Sequence, residues 1–334
     1  MLSHAGYGNI IPGGLGVTIF FFLSGYLITT LLIQEHNACN KINVKKFYLR
    51  RFFRLSPPLF VTIVIAYCLV ILNLLGGEAN LVGFFAQLLY FYNYYALFFE
   101  GYRHVPNGTG ILWSLAIEEH FYILYPLLLS LLLAKFDLKR IGLFFILLCF
   151  IILCWRYYLT LSLNFNPDRT YYATDTRLDS ILFGCILAVM KNPMHGEIKR
   201  DEFNQIDWML LAAGLGLILI SLIIRGEHFR ESLRYTLQGI GLMPVFYLSI
   251  SRSKNILYNL LNLSILNKLG EFSYSIYLIH FIIINVILLI FVKVKFNAPP
   301  LIIFCISLLF SYAYALFIDE FIEPKFKLLR KKYH

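Results

Sequence analysis

Apolar runs recur along nearly the whole chain between short polar or charged joints, most of them close to the roughly 20 residues that cross about 30 Å of hydrocarbon as one helix. Nine stand out, at residues 14–34, 58–75, 112–134, 141–161, 178–190, 208–224, 233–250, 272–292 and 299–318. Residues 81–99 form a tenth, ambiguous stretch, because LLYFYNYYALFF is rich in Tyr and Asn as interfacial segments are. Little of the chain is left for a separate water-soluble domain. The pattern predicts an all-α fold, a polytopic transmembrane helix bundle, organised as one membrane domain over residues 1–334.

Composition agrees with that reading. Hydrophobic residues make up 59% of the 334 and charged residues 14%, and the mean hydropathy is +0.70, far from the values of a soluble domain. The six cysteines (Cys39, Cys68, Cys149, Cys154, Cys185, Cys305) fall mostly inside apolar runs, without a CxxC or a zinc-spaced Cys/His cluster. They read as buried small hydrophobes, and no metal is expected. The chain does not open on a charged segment ahead of a short apolar one, so no cleavable signal is expected.

Charge sets the orientation. Residues 37–77 carry six cations (Lys41, Lys45, Lys46, Arg50, Arg51, Arg54) and no acid, which marks this loop as cytoplasmic. If residues 81–99 do not cross, four further basic groups also fall inside: Lys135, Lys139 and Arg140; Lys191, Lys199 and Arg200; Arg252 and Lys254; and the tail from Lys325 to Lys332. If they cross, all four fall outside. The first arrangement places Met1–Gly13 outside and the C-terminus in the cytoplasm. Topology then accounts for most of the +10 net charge, and no nucleic-acid partner is implied.

Polar residues inside apolar runs need a reason. In FYLRRFFRLSPP, Arg50 and Arg54 share a helical face with Arg51 beside them, ahead of a break at Pro57-Pro58 that opens the next span. They suit either topology and lipid headgroups or an anion site for the phosphates of a nucleotide-like donor. In LWSLAIEEHFYILYP, Ser114, Glu118, Tyr122 and Tyr125 form a polar stripe. Glu118 either lines a cavity or locks two helices through an arginine, whereas Glu119 and His120 read as interfacial. In LGEFSYSIYLIHF, Ser273, Tyr277 and His280 form another stripe, in which His280 could serve only as a helix-to-helix hydrogen bond. In TDTRLDSILFG, Asp175 and Asp179 share a face with Arg177 between them, and internal ion pairing is the simpler reading. In GGLGVTIFFFLSGYLIT, the glycines allow close approach, and Ser24 and Tyr26 offer hydroxyls to a cavity or merely pack.

Polar stations on several helices plus a basic inner loop suggest a polar cavity within a bundle. A histidine base, a carboxylate that orients and charge-stabilises it, and cations for donor phosphates are what acyl transfer from a thioester requires. A polytopic transporter or flippase could use the same groups.

The succession of His4, the SGY-containing span, RRxxR, WSLxxE followed by FY and P, TRLDSILFG, SYSIYLIHF and FIEPKFKLLRK resembles the acyltransferase 3 family over nearly the whole chain. That resemblance implies about ten helices in one membrane acyltransferase domain, nine of them present here. It implies transfer of an acyl group, acetyl above all, from acetyl-CoA or a related acyl-CoA to a hydroxyl of a surface carbohydrate such as O-antigen, exopolysaccharide or peptidoglycan. The expected setting is the bacterial inner (cytoplasmic) membrane, with the lipid bilayer, acyl-CoA and the carbohydrate acceptor as partners. Residue by residue, His4 matches the family's base, and Glu118, with Trp113 and Ser114, matches its WSLxxE element. Arg50, Arg51 and Arg54 match its basic loop, and Arg177, Asp179 and His280 match further cavity positions.

The family's motif places an Arg or Lys eleven positions before its histidine, and only three residues precede His4. The charge rule likewise asks for a helix crossing outward ahead of Gly13. Both lead to the expectation of roughly 10–25 further, mostly apolar residues before Met1; the alternative is an inactive, truncated acyltransferase.

Overall fold

The computed structural model describes residues 1–162, 165–194, 203–251 and 256–333. Of the loop cations used above, Lys199, Arg200, Arg252 and Lys254 lie outside them. The described chain is helical: α1 (Gly13–Cys39), α2 (Val44–Ile71), α3 (Leu81–Leu88), α4 (Tyr92–Phe98), α5 (Trp113–Leu133), α6 (Leu138–Thr160), α7 (Pro167–Tyr172), α8 (Thr174–Met190), α9 (Gln205–Ile223), α10 (Glu227–Glu231), α11 (Leu233–Ser251), α12 (Ile256–Leu261), α13 (Ser264–Glu271), α14 (Ser273–Lys293), α15 (Pro300–Phe317) and α16 (Glu323–Lys331).

All nine predicted runs are helices. Among the described residues seven segments are long and apolar enough to cross a membrane: α1, α2, Thr109–Leu133, α6, α9, α14 and Pro300–Lys331. The other two runs correspond to α8, of 17 residues with Asp175, Arg177 and Asp179 in its first turns, and α11, which carries Arg234, Gln238 and Pro244. The ambiguous tenth run forms α3 and α4, of eight and seven residues. At 1.5 Å per residue each is about 12 Å long at most, too short to cross.

Pro57 and Pro58 do not break the chain. They lie inside a continuous α2 of 28 residues, so the helix that carries the arginine cluster is the same one that forms the second span. Proline removes one donor and crowds one turn, which helix packing can absorb. The cysteine expectation also needs correcting, since Cys149 and Cys185 are buried but Cys39, Cys68, Cys154 and Cys305 are exposed. An apolar residue of a membrane helix can face lipid as readily as the core, and hydropathy does not distinguish the two.

The chain forms two compact units. The first comprises Met1–Gly13, Asn43–Glu119 and Lys268–His334; the second comprises Gly14–Ile42 and His120–Asn267. In the first, α14 packs on α15, and α16 lies along α2. Ala66, Leu75, Ile279 and Ile282 form one buried apolar cluster, and Ala5, Ile284 and Ile303 another.

In the second unit, α8 packs on α6, and α11 packs on α8 and α9. Helix α1 crosses α8 with glycine on both sides. A Cβ on Gly25 would collide with the Ile181 carbonyl, and one on Gly184 with the Phe22 carbonyl. Between helices in lipid there is little hydrophobic drive, so such close backbone approach supplies the packing. Gly214 and Gly241 face each other in the same way across α9 and α11.

Candidate functional site

His4 sits in a helical turn, Ser3–Tyr7, bent at Gly6, where φ is 118°. A Cβ there would press on the Pro300 ring at 3.1 Å, so glycine serves both the conformation and the contact. The bend holds the His4 ring 4.2 Å from Phe281 and 5.5 Å from His280, centre to centre. His4 keeps an exposed edge, whereas His280 is 4% exposed.

A chain of hydrogen bonds fixes His280. Its Nδ1 lies 2.8 Å from the Tyr277 carbonyl, which only accepts, so Nδ1 carries the hydrogen and Nε2 is left as an acceptor in the neutral ring. The Tyr277 hydroxyl donates to the Ile111 carbonyl at 2.8 Å and lies 2.6 Å from Ser114 Oγ. The loop before α5 meets α14 this closely because Gly108, at φ 88°, presses directly on the Ile282 backbone, 2.6 Å from a would-be Cβ. Trp113 and Ser114 open α5 at 6% and 0% exposure, and Glu118, one turn beyond Ser114, is 3% exposed. Ser273 does not join this stripe; it is exposed and donates to the Gly270 carbonyl.

The arginine cluster lies in the first turns of α2, which Asn43 caps by accepting from Lys46 N at 3.0 Å. Arg50 donates to the Tyr333 carbonyl at 2.9 Å, Arg51 stands 5.8 Å from the Phe47 ring centre, and Arg54 is exposed. Phe53, between them in sequence, stacks on Phe326 and Tyr333. The C-terminal segment thus lies against the cluster.

Ser24, Tyr26, Arg177 and Asp179 belong to the second unit. Ser24 hydrogen-bonds Tyr122, and Thr29 hydrogen-bonds Tyr125, so the lower part of the α5 stripe is matched by hydroxyls on α1. Tyr26 donates to Asn192 Oδ1 at 2.8 Å. It also borders an apolar cleft of about 380 Å³ lined by Leu23, Leu27, Met194, Phe246 and Ile250, and among the described lining residues its phenol is the one titratable group. His120, expected to be interfacial, is fixed at 2.8 Å from Thr174 Oγ1.

Neither aspartate of TDTRLDS takes Arg177. Asp179, fully buried, forms a two-pronged pair with Arg156, both contacts at 2.7 Å, and Asp175 pairs with Arg169. Both partner arginines escaped the sequence reading. Arg156 was visible, because it is a cation in the otherwise apolar run LFFILLCFIILCWRYYLT and needs a partner at that depth. Arg169 lies in a polar loop and gave no such signal. Among the described residues no group of three or more His, Cys, Asp and Glu is arranged to hold a metal ion.

Long apolar helices with buried ion pairs and a histidine pair among them define a multi-pass helical membrane protein with a polar interior. The model of the acyltransferase 3 family, described as an acyltransferase domain, matches residues 1–319. The chain belongs to that family. It is 29% identical, over 344 aligned residues, to the O-acetyltransferase OatA of Staphylococcus aureus strain NCTC 8325 / PS 47 and to that of strain COL. Each alignment covers 99% of this chain and 55% of the relative, so the chain spans about half the length of these curated relatives. No solved structure matches it.

Proposed function

We propose that this protein is an O-acetyltransferase of the bacterial cytoplasmic membrane, with its C-terminus in the cytoplasm. It moves an acetyl group from acetyl-CoA to a hydroxyl of a cell-surface carbohydrate such as O-antigen or exopolysaccharide. The observation that carries this reading is His4, open to solvent on one edge and held against Phe281 and His280, in a chain whose relatives are named O-acetyltransferases. The family match runs through both compact units, which supports one acyltransferase domain over residues 1–334.

In this reading His4 takes the proton of the acceptor hydroxyl as its oxygen attacks the thioester carbonyl. A C–O bond forms, the C–S bond breaks, and the proton passes to the departing CoA sulfur. Glu118 serves as the second catalytic group, and Arg50, Arg51 and Arg54 hold the CoA phosphates through charge-assisted hydrogen bonds. Trp113, Ser114 and His280 line or steady the site.

The test is acetyl transfer by the purified chain in lipid nanodiscs, followed as free CoA thiol and as ester on added polysaccharide. Replacing His4 with Ala should lower turnover by about 10²–10⁴-fold, the usual worth of a general base, with acetyl-CoA binding retained. Replacing Arg50, Arg51 and Arg54 together with Gln should do the reverse, weakening donor binding first. Turnover unchanged by His4→Ala would remove the assignment.

A further inference from the structure

Among the described residues, the arginines packed around Tyr235 and α7 are matched to carboxylates, with one exception. Arg156 uses all five guanidinium hydrogens: on Ser232 O, on Thr176 O, on both oxygens of Asp179 and on Thr236 Oγ1. Arg169 pairs with Asp175. Arg234 lies 3.5 Å from Glu231 and donates to the Tyr235 hydroxyl at 2.7 Å. Arg177, fully buried, has one long contact of 3.3 Å to Thr18 Oγ1, and its Nε and Nη1 have no hydrogen-bond partner among the described residues.

Local charge is out of balance in the same direction. The Tyr235 ring is faced by three guanidiniums, Arg177 at 3.8 Å, Arg234 at 4.7 Å and Arg156 at 5.4 Å. Two carboxylates, Asp179 and Glu231, stand among them, and each is already engaged by another arginine. The aromatic faces of Tyr235, Tyr171 and Phe21 attract a cation but offer no acceptor in the plane of the guanidinium. A buried guanidinium without a carboxylate of its own is costly, and the donors left over, Nε–H on one side and Nη1 on another, each suit an oxygen of an anion.

We propose that Arg177 anchors an oxyanion site that takes a carboxylate or phosphate group on its unpartnered Nε and Nη1 donors. Tyr171, half-buried with its ring 5.6 Å from the guanidinium, is the partly exposed member of the aromatic group around Arg177. Two sources carry that chemistry: an acidic sugar of the acceptor and the headgroup of an anionic phospholipid. Assigning the anion to the acceptor rests on the acyl-transfer reading; the binding does not, and it is measured without donor or turnover.

The experiment uses the full chain in phosphatidylcholine nanodiscs, with melting temperature and tyrosine fluorescence as readouts. Trigalacturonate is compared with neutral maltotriose in one arm, and phosphatidylglycerol is doped into the disc in the other. A rise in melting temperature with trigalacturonate alone assigns the site to acidic sugar, and a rise with phosphatidylglycerol alone assigns it to lipid. Arg177→Met should abolish whichever rise occurs and weaken binding by roughly 30-fold or more, while the ligand-free protein melts no lower than wild type because an uncompensated charge has been removed. No response to either anion, or a response that survives Arg177→Met together with a lower ligand-free melting temperature, would make Arg177 a structural cation held by Tyr235 and overturn the proposal.

Discussion

His4 works in surroundings that disfavour its charged form. Burial, above all, holds its pKa below the ordinary 6.5. The neutral base therefore persists to lower pH than a free imidazole, and the acid limb of the kcat/KM profile should have its midpoint below pH 6.5; a midpoint above that value would separate His4 from the limiting base. The linked effect on stability has the matching sign. The unfolded chain takes up this proton more readily than the folded one, so folding loses stability as pH falls through about 6.5 and levels off below the lowered value. A different balance governs Arg156. Removing it strands Asp179 at zero exposure, and Arg156→Met should cost about 3–5 kcal/mol, whereas Arg156→Met with Asp179→Leu should recover much of that loss, read as thermal unfolding in nanodiscs. A double variant no better than the single would mean that the network's other hydrogen bonds, to Thr176, Ser232 and Thr236, dominate.

The crossing of α1 and α8 depends on two missing side chains. Gly25→Leu and Gly184→Leu should each destabilise the protein by more than about 3 kcal/mol, because the obstacle is a backbone carbonyl that cannot move aside. Gly216→Ala on α9 is the control, since a Cβ there would meet no atom within 4 Å; it should leave the melting temperature within a degree or raise it slightly. Equal losses at all three positions would point to backbone flexibility as the reason for glycine. The three residues of the SGY step divide its roles: Gly25 serves the crossing, Ser24 bonds Tyr122, and Tyr26 bonds Asn192. Nothing in the local pattern distinguishes these roles, because each depends on the helix opposite.

Across the membrane, the charge rule places the loop of residues 37–43 and the tail from Lys325 on the cytoplasmic side, and Met1–Gly13 outside. Cys39, exposed at the end of α1, provides a built-in probe. In cells a membrane-impermeant maleimide should leave Cys39 unlabelled until the cytoplasmic face is opened by inverting the vesicles, while a cysteine introduced at Ser3 should label from outside. The reverse pattern would invert every loop and put the arginine cluster on the opposite face from the one the proposed acetyl-CoA site requires.

Hydrophobic runs alone placed the nine long helices of the described residues, because whether a segment crosses or lines a membrane depends on the transfer energy of its own side chains, which is local. Composition and charge were likewise enough for the class of protein, and the motif succession pointed to the family that the match over residues 1–319 supports. Boundaries and partners were another matter. Continuity of α2 through Pro57-Pro58 depends on neighbours that compensate for the lost hydrogen bonds, and the division of the cysteines into buried and exposed depends on which way each helix turns. Asp179 chose Arg156, 23 positions back, over Arg177, two positions back, because on a helix residues two apart point to different sides while packing brought α6 alongside α8. The pairing of His4 with His280, across 276 positions of chain, has the same origin: periodicity reports which face a residue occupies, and only the folded arrangement decides what that face meets.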